Sequence, residues 1–108
     1  MNSGIESSNQ QLNRNRVVLL DKAQIALDAL QTRDQEKVIY AINCLEQFPD
    51  CSLLKINKIK SIPNYFIARA GVKYRIIFKF QDREVTIVDI VNHDRLERLY
   101  GSLKMDRI

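Results

Sequence analysis

The sequence predicts one α+β domain: an antiparallel sheet packed on an N-terminal helix hairpin, in the order β-α-α-β-β-β with a short C-terminal helix. Three observations carry this. The clear helical stripes of apolar residues lie before Pro49. After Asn64 the apolar residues switch to alternation, the period of a strand. The chain has 108 residues, 45% of them hydrophobic, enough for one core and too few for two domains.

Residues 1–15 are polar and lack apolar periodicity, so they are expected to be a disordered tail, with a single domain over 16–108. Val17 to Leu20 is a short apolar run that reads as a buried strand. Asp21 is placed to cap a helix whose apolar positions are Ala23, Ala26, Leu27 and Leu30. Thr32 and Gln35 fit a capping box, with Thr at the N-cap and Gln three residues on. Behind them Val38, Ala41, Ile42, Leu45 and Phe48 form a helical stripe, and Pro49-Asp50 ends it. The short link between the helices predicts an antiparallel hairpin.

Residues 53–64 read as a basic connection carrying Ile56, Ile59 and Ile62, closed by Pro63-Asn64. Tyr65 to Ala70 reads as a strand and Gly71 to Lys73 as a turn. Tyr74 to Phe80 is the clearest strand: Tyr74, Ile76, Phe78 and Phe80 share one face, Arg75, Ile77 and Lys79 the other. Residues 81–84 read as a hairpin turn and Val85 to Val91 as a central strand. Leu96, Leu99 and Tyr100 then predict a terminal helical turn. The helices cover one sheet face, and the other carries Arg75 and Lys79, a cationic platform.

Net charge is +4, unevenly distributed. Seven basic residues, Lys55, Lys58, Lys60, Arg69, Lys73, Arg75 and Lys79, lie between Lys55 and Gln81 with no Asp or Glu among them. The rest of the chain carries ten basic against thirteen acidic residues. Such concentration points to an anionic partner. No apolar run approaches a membrane span and no secretory h-region opens the chain, so the expected location is the cytoplasm. Cys44 and Cys51 match no zinc or redox spacing and are expected as reduced thiols, with a disulfide as the lesser alternative.

There is no phosphate-binding glycine loop, no GxSxG elbow and only one His, so no cofactor or metal is expected. Cations, one His and tyrosines suffice for one reaction, cleavage of RNA by its own 2′-hydroxyl. The nucleophile comes with the substrate. The protein must align it, stabilise the phosphorane with Arg donors and move a proton near neutral pH, which suits His.

Three stretches carry a family resemblance: the basic segment ending in Ile62-Pro63-Asn64-Tyr65, the run Ala68-Arg69-Ala70-Gly71-Val72-Lys73-Tyr74-Arg75-Ile76-Ile77-Phe78, and the ending Val91-Asn92-His93 with Leu99-Tyr100-Gly101. With the order of elements, Val17 to Tyr100 resembles the RelE/ParE toxins of toxin–antitoxin systems. The resemblance implies a RelE-like toxin, a metal-independent mRNA endonuclease acting on the ribosome. It implies Arg75 on the scissile phosphate, Arg69 beside it, and His93 and Tyr100 as further catalytic residues. Lys58 and Lys60 would hold the RNA backbone, and Lys73 and Lys79 extend the basic surface. The implied partners are mRNA, the ribosome and a cognate antitoxin. That antitoxin would cover the Arg69/Arg75 face with a disordered segment that folds on binding. The implied assembly is a homodimer or a toxin–antitoxin hetero-oligomer. Three features depart from the family pattern: Asp94 where an Arg often follows the His, Ile67 at a strand position that is frequently basic, and a Gly71-to-Tyr74 turn one residue longer than usual. Two alternatives stay open, a ParE-like inhibitor of DNA gyrase and an inactive member that only binds antitoxin or nucleic acid.

Overall fold

The computed structural model describes residues 14–101 and 105–107. The elements are β1 (Arg16–Leu19), α1 (Asp21–Asp28), α2 (Thr32–Cys44), β2 (Ile56–Ile59), β3 (Tyr65–Ala70), β4 (Tyr74–Gln81), β5 (Glu84–Asn92), α3 (His93–Tyr100) and β6 (Met105–Arg107). The strands form one sheet in the order β1-β5-β4-β3-β2-β6. Strands β3, β4 and β5 make the expected antiparallel meander.

The sheet is mixed, because β1 joins β5 in parallel. Apolar period reports which face is buried and carries no information on strand direction. Of the stretch 1–15, residues 1–13 lie outside the described residues, while Arg14 and Asn15 belong to the folded body. The buried Asn15 amide donates from Nδ2 to Leu45 O at 3.1 Å and Phe48 O at 2.6 Å.

Two strands were not expected. Residues 56–59, read as connection, form β2 between β3 and β6. Ile56 enters the core under the helix hairpin and Ile59 the core on the opposite face. A strand covered on both faces loses its clean alternation, which hid it.

The helix ends also differ from expectation. Asp21 is the first residue of α1, with Leu20 at the N-cap. The capping box at Thr32 does not form: Gln31 is the N-cap, and Gln35 Nε2 donates to Leu27 O at 3.0 Å. That bond clasps α2 to α1. Helix α2 stops at Cys44, before Pro49, and a 3-10 turn over Leu45–Gln47 follows.

The main core lies between the hairpin and one sheet face. Ala23 and Leu27 of α1 and Val38, Ala41 and Ile42 of α2 meet Ala68, Ile76, Phe78, Val85 and Ile87. Phe48 closes its end, with its ring centroid 5.0 Å from Phe66, 5.2 Å from Phe78 and 5.0 Å from Phe80. The opposite sheet face is not an open cationic platform. Helix α3 lies on it, and Leu96 packs with Ile59, Ile67, Ile77 and Val91 in a second, smaller core. Ile67, where the family pattern favours a base, is thus a core residue, 3% exposed.

In β5 the pairing steps from Asp89 opposite Ile77 to Ile87 opposite Phe78, so Val88 is an extra, bulged residue. The Asp89 carboxylate is buried at this bulge. Its Oδ1 accepts from the Ile90 amide at 2.9 Å, and Oδ2 lies 3.2 Å from Lys22 Nζ of α1. Among the described residues no helix is long and apolar enough to cross a membrane.

Candidate functional site

The β3–β4 connection builds the site. Gly71 turns the chain at φ 67°, a left-handed conformation that glycine adopts without strain. A Cβ there would sit 3.2 Å from Lys37 Cδ of α2. The turn sets Arg69 opposite Arg75 in the β3–β4 register, and Arg75 opposite Val91 in β4–β5. By strand alternation both arginines leave the face that carries α3.

Directly opposed like charges repel, with Cβ atoms typically about 5 Å apart. Backbone carbonyls offset this. Arg69 Nε donates to Gly71 O at 3.3 Å, and Arg75 Nη1 donates to Val72 O at 3.1 Å and Tyr74 O at 2.9 Å. Desolvation, and then the neighbouring Arg69 charge, pull the Arg75 guanidinium below its ordinary pKa. Neither arginine forms an ion pair among the described residues. Neutral carbonyls are weaker acceptors than an anion. Two neighbouring guanidinium groups held this way favour an anionic ligand.

Helix α3 completes the cleft. Asn92 caps it, its Oδ1 accepting from the Arg95 amide at 2.7 Å. His93 is the first helical residue, and its amide donates to Lys73 O at 3.0 Å. The helix start is thereby tied to the same turn that holds the arginines. The resulting cleft of about 620 Å³ is lined by Arg69, Val72, Lys73, Tyr74, Arg75, Asn92, His93 and Asp94. A helix N-terminus adds a favourable field for an anion. Asp94, in the first turn of α3, is the one carboxylate lining the cleft among the described residues.

The structure therefore brings Arg69, Lys73, Arg75 and His93 together. Lys73 Nζ also lies 3.9 Å from Asp34 Oδ2, which accepts from Tyr74 Oη at 3.3 Å. The other expected site residues lie elsewhere. Tyr100 stands at the far end of α3, half-buried against the second core, and does not line the cleft. Lys79 is four residues along β4 from Arg75, roughly 13 Å away, in a depression with Gln81, Asp82, Glu84 and Thr86. Lys58 pairs with Phe66, so it leaves β2 on the hairpin side, opposite to the arginines. Lys60 is exposed just past β2.

Sequence reasoning missed Asp34, Tyr74 and Asn92 as supports of the site. Asn92 carried a readable signal, an N-cap residue type at the end of a strand. Asp34 carried none, because it meets Tyr74 only through the tertiary fold. Among the described residues no group of three or more His, Cys, Asp or Glu is placed to hold a metal ion.

No protein-family model matches the chain. No curated protein matches it significantly. Solved structures do. A RelB-RelE antitoxin-toxin complex from Methanococcus jannaschii aligns with TM-score 0.64 and 17% identity over 77% of this chain and 98% of that one. An archaeal RelE-RelB complex from Pyrococcus horikoshii aligns with TM-score 0.62 and 21% identity over 75% and 97%. The isolated E. coli RelE toxin aligns with TM-score 0.60 and 13% identity over 81% and 97%. The fold is RelE-like.

Proposed function

We propose that this RelE-like chain is the toxin of a toxin–antitoxin pair and cleaves mRNA on the ribosome. The observation that supports this best is the convergence of Arg69, Arg75 and His93 in one cleft, with the two arginines free of carboxylate partners among the described residues. The partner in this reading is an antitoxin protein, as in the RelB-RelE complexes of similar fold.

The phosphodiester sits against Arg75, with Arg69 on the same side. Each guanidinium exchanges a turn carbonyl for a phosphate oxygen. The RNA 2′-oxygen attacks phosphorus and loses its proton to solvent. The bond to the 5′-oxygen breaks, and His93 as imidazolium gives that oxygen its proton. The products are a 2′,3′-cyclic phosphate and a 5′-hydroxyl. Charge builds on the phosphorane oxygens, where fixed Arg donors act most strongly. Tyr100, half-buried against the second core and not lining the cleft, has no part in this step.

Asp94 supports a second reading. A carboxylate lining the cleft opposes phosphate, which suits a gyrase-directed or binding-only protein of the same fold. Induced expression with parallel readout of mRNA cleavage, translation and DNA supercoiling separates the two. Cleaved mRNA with unchanged supercoiling is expected. Altered supercoiling with intact mRNA overturns the nuclease reading.

A further inference from the structure

Strand β5 breaks its own alternation at one residue. Val85 and Ile87 enter the main core, and the next residue in phase is Asp89. An unbroken register would set its carboxylate opposite Ile76, which is wholly buried in that core. The bulge at Val88 averts this. One extra residue returns Ile90 to the main core opposite Ile76 and leaves Val88 and Val91 against the second core. Asp89 is buried beside Lys22 of α1 instead, 2% exposed. Its Oδ2 accepts no hydrogen bond among the described residues, so the Lys22 ammonium at 3.2 Å is its compensation. A charge taken out of water needs such a partner.

The bulge decides what meets Arg75. With it, Val91 faces Arg75, Asn92 faces Tyr74 and the His93 amide reaches Lys73 O. Without it every later partner moves by one. Ile90 would face Arg75, Val91 would face Tyr74, and the start of α3 would shift by about 3.4 Å, the rise of one residue. We propose that Asp89 is a positioning residue: its buried charge, held by Lys22, forbids the bulge-free register and thereby sets His93 in the cleft with Arg75. The proposal rests on the nuclease reading, in which His93 protonates the leaving oxygen. Arg69 and Arg75 lie on β3 and β4, whose mutual register does not involve β5. Loss of the lock should therefore spare RNA binding and slow the cleavage step.

Two changes at this one position separate the proposal from a plain structural role. Asp89→Val completes the apolar alternation, so β5 is expected to slip: the cross-strand NMR contacts of Arg75 should pass from Val91 to Ile90. Deleting Asp89 outright brings Val88 opposite Ile77, Ile90 opposite Ile76 and Val91 opposite Arg75 with no bulge, so the register at the cleft is kept. In single-turnover cleavage of ribosome-bound RNA, Asp89→Val should fall to the level of His93→Ala, and adding His93→Ala to it should cost nothing more. Affinity for an uncleavable RNA should stay at the wild-type value. The deletion should cleave well above the level of Asp89→Val, an order that a residue needed only for stability would reverse. Asp89→Asn, equal in size and still polar, should keep Arg75 against Val91 and cleave at a rate between wild type and Asp89→Val. Urea unfolding checks the fold of each variant. An Asp89→Val protein that keeps Arg75 against Val91 overturns the proposal, as does one that slips and still cleaves at the wild-type rate, or a folded deletion variant no faster than Asp89→Val. Should Asp89→Val fail to fold, the deletion decides alone: Arg75 against Val91 and a rate above that of His93→Ala support the lock, and any other register overturns it. A slip in Asp89→Val, when even the wild-type chain cuts no RNA, keeps the register lock and loses the nuclease reading.

Discussion

Arg69 and Arg75 stand opposite each other in register across β3 and β4, and both turn back to carbonyls of the connection between them. Two like charges placed as direct cross-strand neighbours raise the energy of the unliganded protein. In the proposed function, a phosphate placed between them would relieve that repulsion and supply the charged acceptor that the carbonyls lack.

Arg75 is expected to matter most for rate. Removing a donor to a developing oxyanion costs ~10²–10³ in rate, and Arg75→Ala should fall in that range in single-turnover cleavage of ribosome-bound RNA. Arg75→Lys keeps the charge and loses the fork, so it should lie between Ala and wild type. His93→Ala should cost less than Arg75→Ala, because the imidazole is exposed and, among the described residues, is held by its place on α3 without a side-chain hydrogen bond or ion pair. Urea unfolding checks the fold of each variant. A folded Arg75→Ala protein that cleaves at the wild-type rate refutes the phosphate role.

Arg69 should show itself in salt dependence. For a single strand, each neutralised phosphate contributes a slope of about −0.7 in log affinity against log salt. Arg69→Ala should therefore flatten that slope by about one such unit. Stability should hold within ~0.5 kcal/mol, since the lost carbonyl bond is offset by relief of the repulsion with Arg75. An unchanged slope, measured by fluorescence anisotropy on an uncleavable RNA, removes Arg69 from the interface.

Helix α3 holds His93 through Leu96. Leu96 is 6% exposed and anchors the second core. Truncation of a buried Leu to Ala costs about 2–5 kcal/mol, and here the loss falls on a small, separate cluster. Leu96→Ala should free the α3 amides in hydrogen exchange while those of Ile76 and Phe78 stay protected. Cleavage should drop to the level of His93→Ala. Full activity with a freely exchanging α3 would show that the helix does not position the histidine.

Tyr74 predicts an alkaline limb in stability. Desolvation raises its pKa above the ordinary 10.0, and the Asp34 charge and hydrogen bond add to this. With the folded pKa above the unfolded one, the contribution is fully present below pH 10 and is lost as pH climbs from there through the folded value. Tyr74→Phe should flatten the decline that begins near pH 10. The check is denaturant midpoints from pH 8 to 11, and parallel declines in both proteins would contradict it.

The meander was legible because its strands keep period two: Phe66, Ala68 and Ala70 in β3, and Ile76 and Phe78 in β4, face the hairpin as alternation required. The pairing of Arg69 with Arg75 emerged only with the structure, because the short strand left the face of Arg69 open. Strand β2 stayed hidden because Ile56 and Ile59 serve opposite cores. The second core was hidden for a related reason. Ile67 and Ile77 read as apolar interruptions of a basic face until α3 covers them. Tyr100 is near His93 in sequence, yet it lies about two helical turns from it along α3 and does not line the cleft.

The β3–β4 turn commits four carbonyls in succession: Gly71 O to Arg69, Val72 O and Tyr74 O to Arg75, and Lys73 O to the His93 amide. Surface loops ordinarily absorb insertions and deletions at little cost. This one cannot, because a change of one residue shifts every acceptor by a position and unseats both arginines and the helix start together. Its length is a setting of the cleft's geometry. Evolution or engineering that alters the turn therefore rearranges the cations of the cleft before it disturbs either core.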